Sequence, residues 1–557
     1  MKCFAILIPL VLLLTSILPV LAVNHEEPPK IYIFTDYLTA AYYVAHLNSS
    51  FRVVLTDNPG ETQMKLEGMG LKTDLFLEKK DSLLRKVNPR DLAYLLVYSN
   101  LTGDRSFITN ETSLKRTLSH MEGIVKQVSQ RNASIAVLFF RSDGPEYSLL
   151  AAYASILRGA KLLDLDTLDV TPSSISDVKY LILITKPLTS RNYERYYAIL
   201  KLATSVDRDP YLDVPLGVVT GPRIDTPFIM LLGPEVFQFV QRRRLRGISL
   251  VEDLPLTRKV QYIASSFGYD AEIVHPDVEY SNVTYATAVS VLEGARGGIV
   301  YLNLHGNPYV MALRADGYPV LSSSSAGFAK AYGSIVLTLS CGTLKFSNLD
   351  NPSESVAYSI LRAGAFAYIG ARKVEFSIGS EAGTSYPDLI LLMLFNGESL
   401  GEAVMTVNNL HIREFQEKGI SNVEAAYEIL LGDPTLKIGR GAESFYEFRK
   451  VNGEYVANIR STTPTIYVRL NVSGNVTPDV EADLPSLFYK WYMDEKGLLL
   501  YISTLSSSYS GYFSEGSMVR IKLEAKHRYL EIVPYLAIFL VVVASLGTIL
   551  RSRRGRG

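Results

Sequence analysis

Two apolar runs in this chain end in the same way, and they limit its fold more than any other feature. Residues 297–306 read GGIVYLNLHG and residues 333–342 read GSIVLTLSCG, so each run stops at His or Cys followed by glycine. A third run, AFAYIG at 365–370, follows a predicted helix. Runs this apolar are typical of strands buried on both faces of a parallel sheet. The sequence therefore predicts an α/β fold.

The remainder of the chain divides into two regions with different patterns. From residue 30 onward, β-rich runs at 31–34, 51–55, 92–98 and 134–140 alternate with helical stretches, which indicates α/β units. From 445 to 526 the pattern changes to short alternating strands separated by Gly, Pro and Asn. This second region predicts an all-β sandwich of immunoglobulin-like size.

Both termini carry long apolar segments. Residues 1–22 combine Lys2, an apolar run and small residues before a cut, as in a signal peptide; an uncleaved anchor is the alternative. Residues 530–550 are long enough to span a membrane, and the tail 551–557 contains four arginines. Because positive charge flanks the cytoplasmic side, we expect a single-pass cell-membrane protein whose bulk is extracellular.

Charge and cysteine content narrow the function. Lys plus Arg and Asp plus Glu number 56 each, so no global field favours nucleic acid, and we expect no nucleic-acid partner. The chain has two cysteines, and removal of the signal peptide would leave only Cys341. A single cysteine cannot form an internal disulfide. It is therefore either an inert core thiol or a chemically active one.

His305 and Cys341 occupy positions at which α/β proteins commonly carry reactive groups. Both follow predicted parallel strands, whose carboxyl ends form ligand sites. Cysteine is a strong nucleophile in acyl transfer, and histidine can move the protons. The alternative is structural, since cysteine is often buried and a histidine at a strand end can simply hydrogen-bond a loop.

The order of motifs from about 134 to 438 resembles the gingipain-like cysteine peptidases. The matching stretches are IAVLFF, LRGAKLL, VKYLILITKP, DPYLDVPLGVVTG, FGYDAEIVHPD, GGIVYLNLHG, SIVLTLSCGTLKF, GAFAYIGA and LLGDPTLKI. The resemblance implies a caspase-like catalytic domain at 133–440, followed by an immunoglobulin-like domain at 445–526. It also implies that this region cleaves peptide bonds in protein or peptide substrates.

The resemblance assigns roles to particular residues. Cys341 would attack the peptide carbonyl, His305 would protonate the leaving amine, and the N–H groups of Gly306 and Cys341 would hold the oxyanion. No catalytic cofactor is implied. Gingipain-like enzymes bind structural calcium, for which the sequence indicates no position, and the remaining histidines lack metal-ligand spacing.

The resemblance suggests four residues that could set substrate preference. Asp253 stands where related enzymes that cleave after Arg or Lys carry an acid, and a carboxylate could bind an arginine bidentately; the alternative is a cap for the helix that follows. Phe376 replaces a tryptophan of the family and could supply an aromatic wall. Arg372 and Lys373, just before it, could instead favour acidic substrates.

Two questions stay open at the level of sequence, namely the nature of residues 23–132 and the function. Residues 23–132 lie outside the resemblance and are either a propeptide over the active site or an added α/β domain. The leading function is a membrane-anchored extracellular cysteine endopeptidase. The alternatives are a sortase-like transpeptidase of the same fold and an inactive surface binding protein.

Overall fold

The computed structural model describes residues 27–525, apart from 81, 168–169, 316, 374–385, 417–418, 421, 440–444, 475, 485–486 and 505–510. The predicted signal peptide (1–22), membrane helix (530–550), basic tail (551–557) and Phe376 lie outside the described residues. Across the part that is described, no helix has the length and apolar character needed to cross a membrane.

The first unit is a small three-stranded sheet with helices. Its strands are β1 (Lys30–Phe34), β2 (Phe51–Leu55) and β3 (Thr73–Phe76). Its helices are α1 (Tyr37–Ala45), α2 (Pro59–Gly68), α3 (Pro89–Thr102), α4 (Ser106–Thr109), α5 (Glu111–Leu118) and α6 (Met121–Ser129). The strands pair in parallel in the order β2-β1-β3.

The expectation of a strand at 92–98 is wrong, because this segment lies inside α3. The helix begins where the side chain of Asn88 accepts from the Asp91 N–H, with Pro89 in the first turn, and it ends at Gly103 with φ +75°. These are helix start and stop signals. The run is apolar because this part of the helix is buried on all sides. Periodicity alone cannot distinguish a fully buried helix segment from a buried strand.

The second unit contains the apolar runs that limit the fold. Its strands are β4 (Ile135–Phe139), β5 (Lys161–Asp164), β6 (Tyr180–Ile184), β7 (Leu216–Val219), β8 (Arg244–Ser249), β9 (Asp270–Val274), β10 (Ile299–Asn303), β11 (His305–Gly306), β12 (Val310–Ala312), β13 (Pro319–Ser322), β14 (Ile335–Thr338), β15 (Ala367–Ala371) and β16 (Glu428–Leu431). Its helices are α7 (Pro145–Arg158), α8 (Glu194–Ala203), α9 (Asp225–Val240), α10 (Leu254–Ser266), α11 (Tyr285–Gly294), α12 (Ser323–Phe328), α13 (Val356–Arg362), α14 (Pro387–Phe395), α15 (Leu400–Gln416) and α16 (Asn422–Ala425).

A large sheet forms the centre of this unit, with the strand order β5-β4-β6-β7-β16-β15-β14-β10-β8-β9. Strands β15, β14, β10, β8 and β9 run parallel to one another, and so do β5, β4, β6 and β7. Strand β16 joins the two groups, parallel to β7 and antiparallel to β15. A second, antiparallel sheet is made of β11, β12 and β13.

The middle strands of the large sheet are buried along their whole length. Every residue of β10, β14 and β15 is buried. This confirms the α/β class and the covered, largely parallel sheet that the apolar runs predict.

The third unit consists of antiparallel sheets. Its strands are β17 (Tyr446–Val451), β18 (Glu454–Ile459), β19 (Thr465–Leu470), β20 (Val476–Ala482), β21 (Leu487–Asp494), β22 (Gly497–Thr504) and β23 (Met518–Ala525). They form the sheets β17-β18-β23-β20 and β19-β22-β21. The Tyr446 hydroxyl donates to the Tyr467 carbonyl at 2.8 Å and so links the two sheets. The immunoglobulin-like topology stays a prediction.

The first unit is joined to the second by buried polar contacts. Lys65 of α2 pairs with Asp225 of α9 at 3.0 Å, and their side chains are only 4% and 0% exposed. The buried Tyr153 hydroxyl of α7 accepts from the Val53 N–H of β2 at 3.1 Å. Gly68 touches the ring of Tyr332, a residue that precedes β14. The first unit thus reaches the amino end of that strand.

The third unit docks on helices of the second. Asp388 of α14 is fully buried and accepts from Thr465 at 2.6 Å and from the Tyr501 hydroxyl at 3.0 Å. Lys259 of α10 donates to Ser503 at 2.9 Å. Burial lowers the pKa of Lys259 to about 8, although the charge of Asp388 opposes this shift. These contacts attach the antiparallel sheets to α10 and α14.

Candidate functional site

The ends of β10 and β14 bring His305 and Cys341 to one level of the sheet. The two strands are parallel neighbours, with Ile299 opposite Ile335 and Leu302 opposite Thr338. Extending this register past both strand ends would place His305 opposite Cys341, and a Cβ added at Gly306, the next residue, would lie 3.2 Å from the Cys341 carbonyl oxygen. Because neighbouring strands lie about 4.8 Å apart, the two residues belong to one site. Both are half-buried, and the His305 side chain is 39% exposed.

Gly306 brings the backbone after His305 against the loop that carries Cys341. A Cβ added at Gly306 would lie 2.9 Å from Ser340 Cβ, 3.0 Å from Thr343 Cγ2 and 3.2 Å from the Cys341 carbonyl oxygen. Contacts between 3.0 and 3.4 Å are already tighter than most Cβ contacts, so this close approach needs glycine.

Pairing in the small antiparallel sheet determines the direction of the Gly306 N–H. The N–H of Asn307 donates to the Val310 carbonyl at 3.0 Å, which makes this a hydrogen-bonded pair. Gly306 pairs with Met311, one step further along the ladder. Hydrogen-bonded and non-hydrogen-bonded pairs alternate in antiparallel ladders. The Gly306 N–H is therefore directed away from β12, at the edge of the sheet, as an oxyanion donor requires.

The loop after Cys341 is tied to the end of β15. Gly342 has φ +61°, a left-handed conformation that glycine adopts without strain. Its N–H donates to the Lys373 carbonyl at 2.9 Å, and the Leu344 N–H donates to the Ala371 carbonyl at 3.0 Å. These bonds hold Cys341 beside the residues that follow β15.

Glu252 is a residue of this site that sequence reasoning missed. Its Oε1 lies 3.9 Å from His305 Nε2, within ion-pair distance when the imidazole is protonated. It follows β8, which is the neighbour of β10 on the side away from β14. A carboxylate here can orient the imidazole and stabilise its positive charge. Only knowledge of the strand order could have pointed to it.

Asp253 lies on the same side of the site as Glu252. Its Oδ2 accepts from the side-chain amide of Asn303, the last residue of β10, at 3.1 Å. It occupies the residue before α10, but its side chain makes no capping hydrogen bond, which argues against the capping alternative. Its role in substrate selection stays a prediction, as does that of Phe376 beyond the described residues.

A cavity of about 490 Å³ opens beside Cys341. Its described lining residues are Gly306, Asn307, Pro308, Cys341, Gly342, Lys345, Asn348, Arg372, Lys373 and Tyr427. It thus contains the predicted nucleophile, the predicted oxyanion donor and three cationic side chains. A bound peptide could place a side chain in this space while its carbonyl meets Cys341.

Away from Cys341, three carboxylates gather in the loop between α8 and β7. Oxygens of Asp207, Asp209 and Asp213 lie within 4.8 Å of one another, and all three residues are half-buried. Burial and neighbouring negative charge raise the pKa of Asp209 to about 6 and that of Asp213 to about 7. Oxygen donors suit calcium, so these three residues could hold a calcium ion.

Three solved structures are similar to this chain at low sequence identity. One is a protease, with 14% identity, a TM-score of 0.41, and coverage of 70% of this chain and 95% of that chain. Another is the Arg-specific cysteine proteinase gingipain R, with 13% identity, a TM-score of 0.39, and coverage of 71% and 98%. The third is a complex of the pro- and mature domains of RgpB from Porphyromonas gingivalis, with 11% identity, a TM-score of 0.35, and coverage of 89% and 99%. No protein-family model and no curated protein matches the sequence.

Proposed function

We propose that this chain is a cysteine endopeptidase with Cys341 as nucleophile and His305 as proton carrier. The Cys341 thiolate forms a bond to the peptide carbonyl carbon, and the carbonyl electrons move to the oxygen. Collapse of this intermediate breaks the C–N bond, and the departing amine takes a proton from His305. Water then attacks the thioester, giving a proton to His305 and releasing the Cys341 thiolate.

One observation carries this proposal. His305 and Cys341 follow adjacent parallel strands in the same register, and Gly306 packs on the Cys341 carbonyl. The edge-directed N–H of Gly306 and the N–H of Cys341 are the donors we assign to the oxyanion. Glu252 extends the proposal as the group that orients His305.

The proposal includes the cellular setting that the sequence predicts. The chain would be exported, held by the helix at 530–550 and active outside the cell, on protein or peptide substrates. The carboxylates of Asp207, Asp209 and Asp213 would hold the structural calcium. A preference for Arg or Lys through Asp253 stays a prediction, and the caspase-like and immunoglobulin-like assignments belong to the same proposal.

The test uses the ectodomain, residues 23–528, as wild type and as Cys341→Ala. Each is incubated with a peptide library and, separately, with iodoacetamide, and products and labelled residues are identified by mass spectrometry. We expect the wild type to cleave peptides and to be alkylated at Cys341. The Cys341→Ala variant should remain folded and show no cleavage, because the nucleophile is absent.

A matched control variant and a second measurement, with an added amine, complete the test. Ser119→Ala, at an exposed position after α5, removes one polar atom far from the cavity and should leave activity unchanged. Adding an amine nucleophile reveals whether the acyl group passes to water or to an amine. A folded wild type that neither cleaves nor reacts at Cys341, with or without calcium, would contradict the proposal.

A further inference from the structure

The cavity beside Cys341 has a strong positive charge. Lys345, Arg372 and Lys373 line it, and none of its described lining residues is acidic. Glu424, exposed on α16, acts on Lys373 from outside the described lining. The described lining residues therefore carry a net positive charge.

Arg372 is fixed at the base of this charged cluster. The residue is only 4% exposed, and its Nε donates to the Ala426 carbonyl at 2.6 Å. Its Nη1 donates to the Tyr197 hydroxyl at 2.8 Å, and the guanidinium stacks 4.9 Å from the Tyr197 ring. A fixed cation in a partly buried site acts on an anion more strongly than one in bulk water.

Lys373 is placed to contact a ligand in the cavity. It is half-buried, and its Nζ lies 5.2 Å from the centre of the Tyr427 ring. Its carbonyl accepts from the Gly342 N–H, so it is attached to the loop of the nucleophile. Burial, and then the charge of Arg372, lower the pKa of Lys373, with Glu424 opposing. A carboxylate in the cavity would offset both causes.

The strand order shows which part of a substrate would meet this charge. Cys341 follows β14, which lies between β10, leading to His305, and β15, leading to Arg372 and Lys373. The leaving amine must be near His305, which protonates it. The residue that supplies the attacked carbonyl, called P1, is bonded to Cys341 in the acyl-enzyme, and the cavity that opens beside Cys341 toward Arg372 and Lys373 is available to its side chain.

We propose that the cavity is a P1 pocket for acidic residues, in which Lys373, with Lys345 at the mouth and Arg372 at the base, binds the carboxylate of Asp or Glu. This inference rests on the proposed peptidase function. Asp253, by contrast, contacts Asn303 on the His305 side of the site.

The test measures kcat/KM of the ectodomain for one peptide sequence with Asp, Glu, Asn, Gln, Arg or Lys at P1. All peptides are amidated at the carboxyl terminus, so the P1 side chain is the carboxylate that varies. We expect Asp and Glu to exceed their amide counterparts by about 10- to 100-fold, the range for a hydrogen bond to a charged group. Lys373→Met should abolish this difference, and Lys373→Glu should favour Arg or Lys at P1.

Lys345→Met provides a second variant, expected to reduce the acidic preference less because Lys345 is exposed. Lys496→Met, an exposed lysine in the antiparallel unit, is the matched control and should keep the wild-type ratios. Wild-type preference for Arg or Lys, lost in Asp253→Asn, would overturn the inference and leave the peptidase intact. Cleavage of the same peptides only when their carboxyl terminus is left free, and not when it is amidated, would also overturn it. Absence of both cleavage and Cys341 alkylation would instead refute the proposed function itself.

Discussion

At the scale of single residues, the Glu252–His305 contact is predicted to have a modest effect on catalytic activity. The two atoms are 3.9 Å apart, and the side chains are 64% and 39% exposed. Exposed ion pairs of this kind contribute about 0.2–1 kcal/mol. Glu252 is therefore expected to position His305 rather than to take part in bond making.

Glu252→Gln should lower kcat/KM about two- to fivefold, because the imidazolium loses a stabilising charge while the nucleophile remains. The loss should fall on kcat, with KM nearly unchanged, in steady-state assays on one peptide. Glu122→Gln, at an exposed position on α6, is the control. An unchanged kcat would exclude a positioning role for Glu252.

Gly306→Ala should reduce activity strongly at temperatures where the variant is still folded. The added Cβ would press on Ser340, Thr343 and the Cys341 carbonyl, moving the nucleophile and the oxyanion donor together. Overpacking costs about 1–3 kcal/mol, whereas misplacing reacting groups by about 1 Å can cost 100-fold in rate. The measurement is kcat/KM well below Tm, with circular dichroism as a check of folding.

Gly123→Ala is the matched control for this change. It lies in α6, where an added Cβ would meet nothing within 4 Å. It should leave kcat/KM unchanged and raise stability by roughly 0.5–1 kcal/mol. A folded Gly306→Ala variant with wild-type activity would contradict the close packing assigned to this backbone.

At the scale of elements, the loop between α8 and β7 brings three carboxylates close together in a half-buried place, where their negative charges repel one another. The pKa of Asp213 is raised to about 7 by burial and by the charge of Asp207. A folded-state pKa above the unfolded value means that the folded state binds the proton more tightly. The stabilisation from protonated Asp213 is thus complete below about pH 4 and is lost as pH rises to about 7.

Asp213→Asn should therefore raise Tm at pH 8 and have little effect at or below about pH 4. The Asn carbonyl can still accept from the Val206 N–H, which Asp213 accepts at 3.0 Å. Allowing for solvent at this half-buried site, the gain is on the order of 1 kcal/mol. Thermal unfolding in EDTA across this pH range measures it, and adding calcium should then stabilise the wild type more than the variant.

Asp479→Asn, at an exposed position on β20, is the control for the removal of one negative charge. It should not reproduce the pH dependence. If Asp213→Asn lowers Tm equally at all pH values, the carboxylates do not repel one another as inferred.

The elements differ in how well the sequence predicts them. Strands β10, β14 and β15 were predicted because full burial on both faces leaves an apolar run. Helix α3 is equally apolar, and it was mistaken for a strand. Strand β8 reads RLRGIS, so its arginines interrupt the apolar run by which a buried strand is recognised. Arg246 is tolerated in this strand because its side chain pairs with Asp270 and Glu272.

The same difference applies to the candidate site. The placement of His305 and Cys341 at the ends of neighbouring strands follows from the sequence because each ends its own apolar run, and their catalytic roles stay a prediction. Glu252 and the charged cavity depend on which strands are neighbours, namely β8 with β10 and β14 with β15. That order follows from packing between segments distant in sequence, which local patterns do not contain.

At the scale of the whole molecule, the first unit is an integral part of the fold. It contributes Lys65 to the buried Asp225. It also contributes Arg52 to Glu235 at 2.6 Å, where Arg158 of α7 binds as well. Without Lys65, the buried carboxylate of Asp225 would lose one of its two cations and keep the ion pair with Arg223 at 3.3 Å. Removing one partner of a buried pair is costly because the remaining charge is less well compensated.

Lys65→Met should destabilise the ectodomain by about 3 kcal/mol, the lower end for breaking a buried ion pair, without changing kcat/KM at low temperature. Deleting residues 23–132 should lower Tm further. Lys72→Met is the control, because its pair with Glu27 is 68% and 78% exposed and contributes little. A deletion that keeps the wild-type Tm would show that this unit is dispensable for folding.

The position of the first unit also bears on maturation. It touches Tyr332, ahead of β14, and Met69 lies 3.5 Å from a Cβ added at Gly364, ahead of β15; these are the strand ends remote from Cys341 and Lys373. A cut in the 130–134 connection between α6 and β4 would leave these contacts and the buried ion pairs in place. Such processing would yield a two-chain protein, in which the amino-terminal fragment remains as a bound subunit.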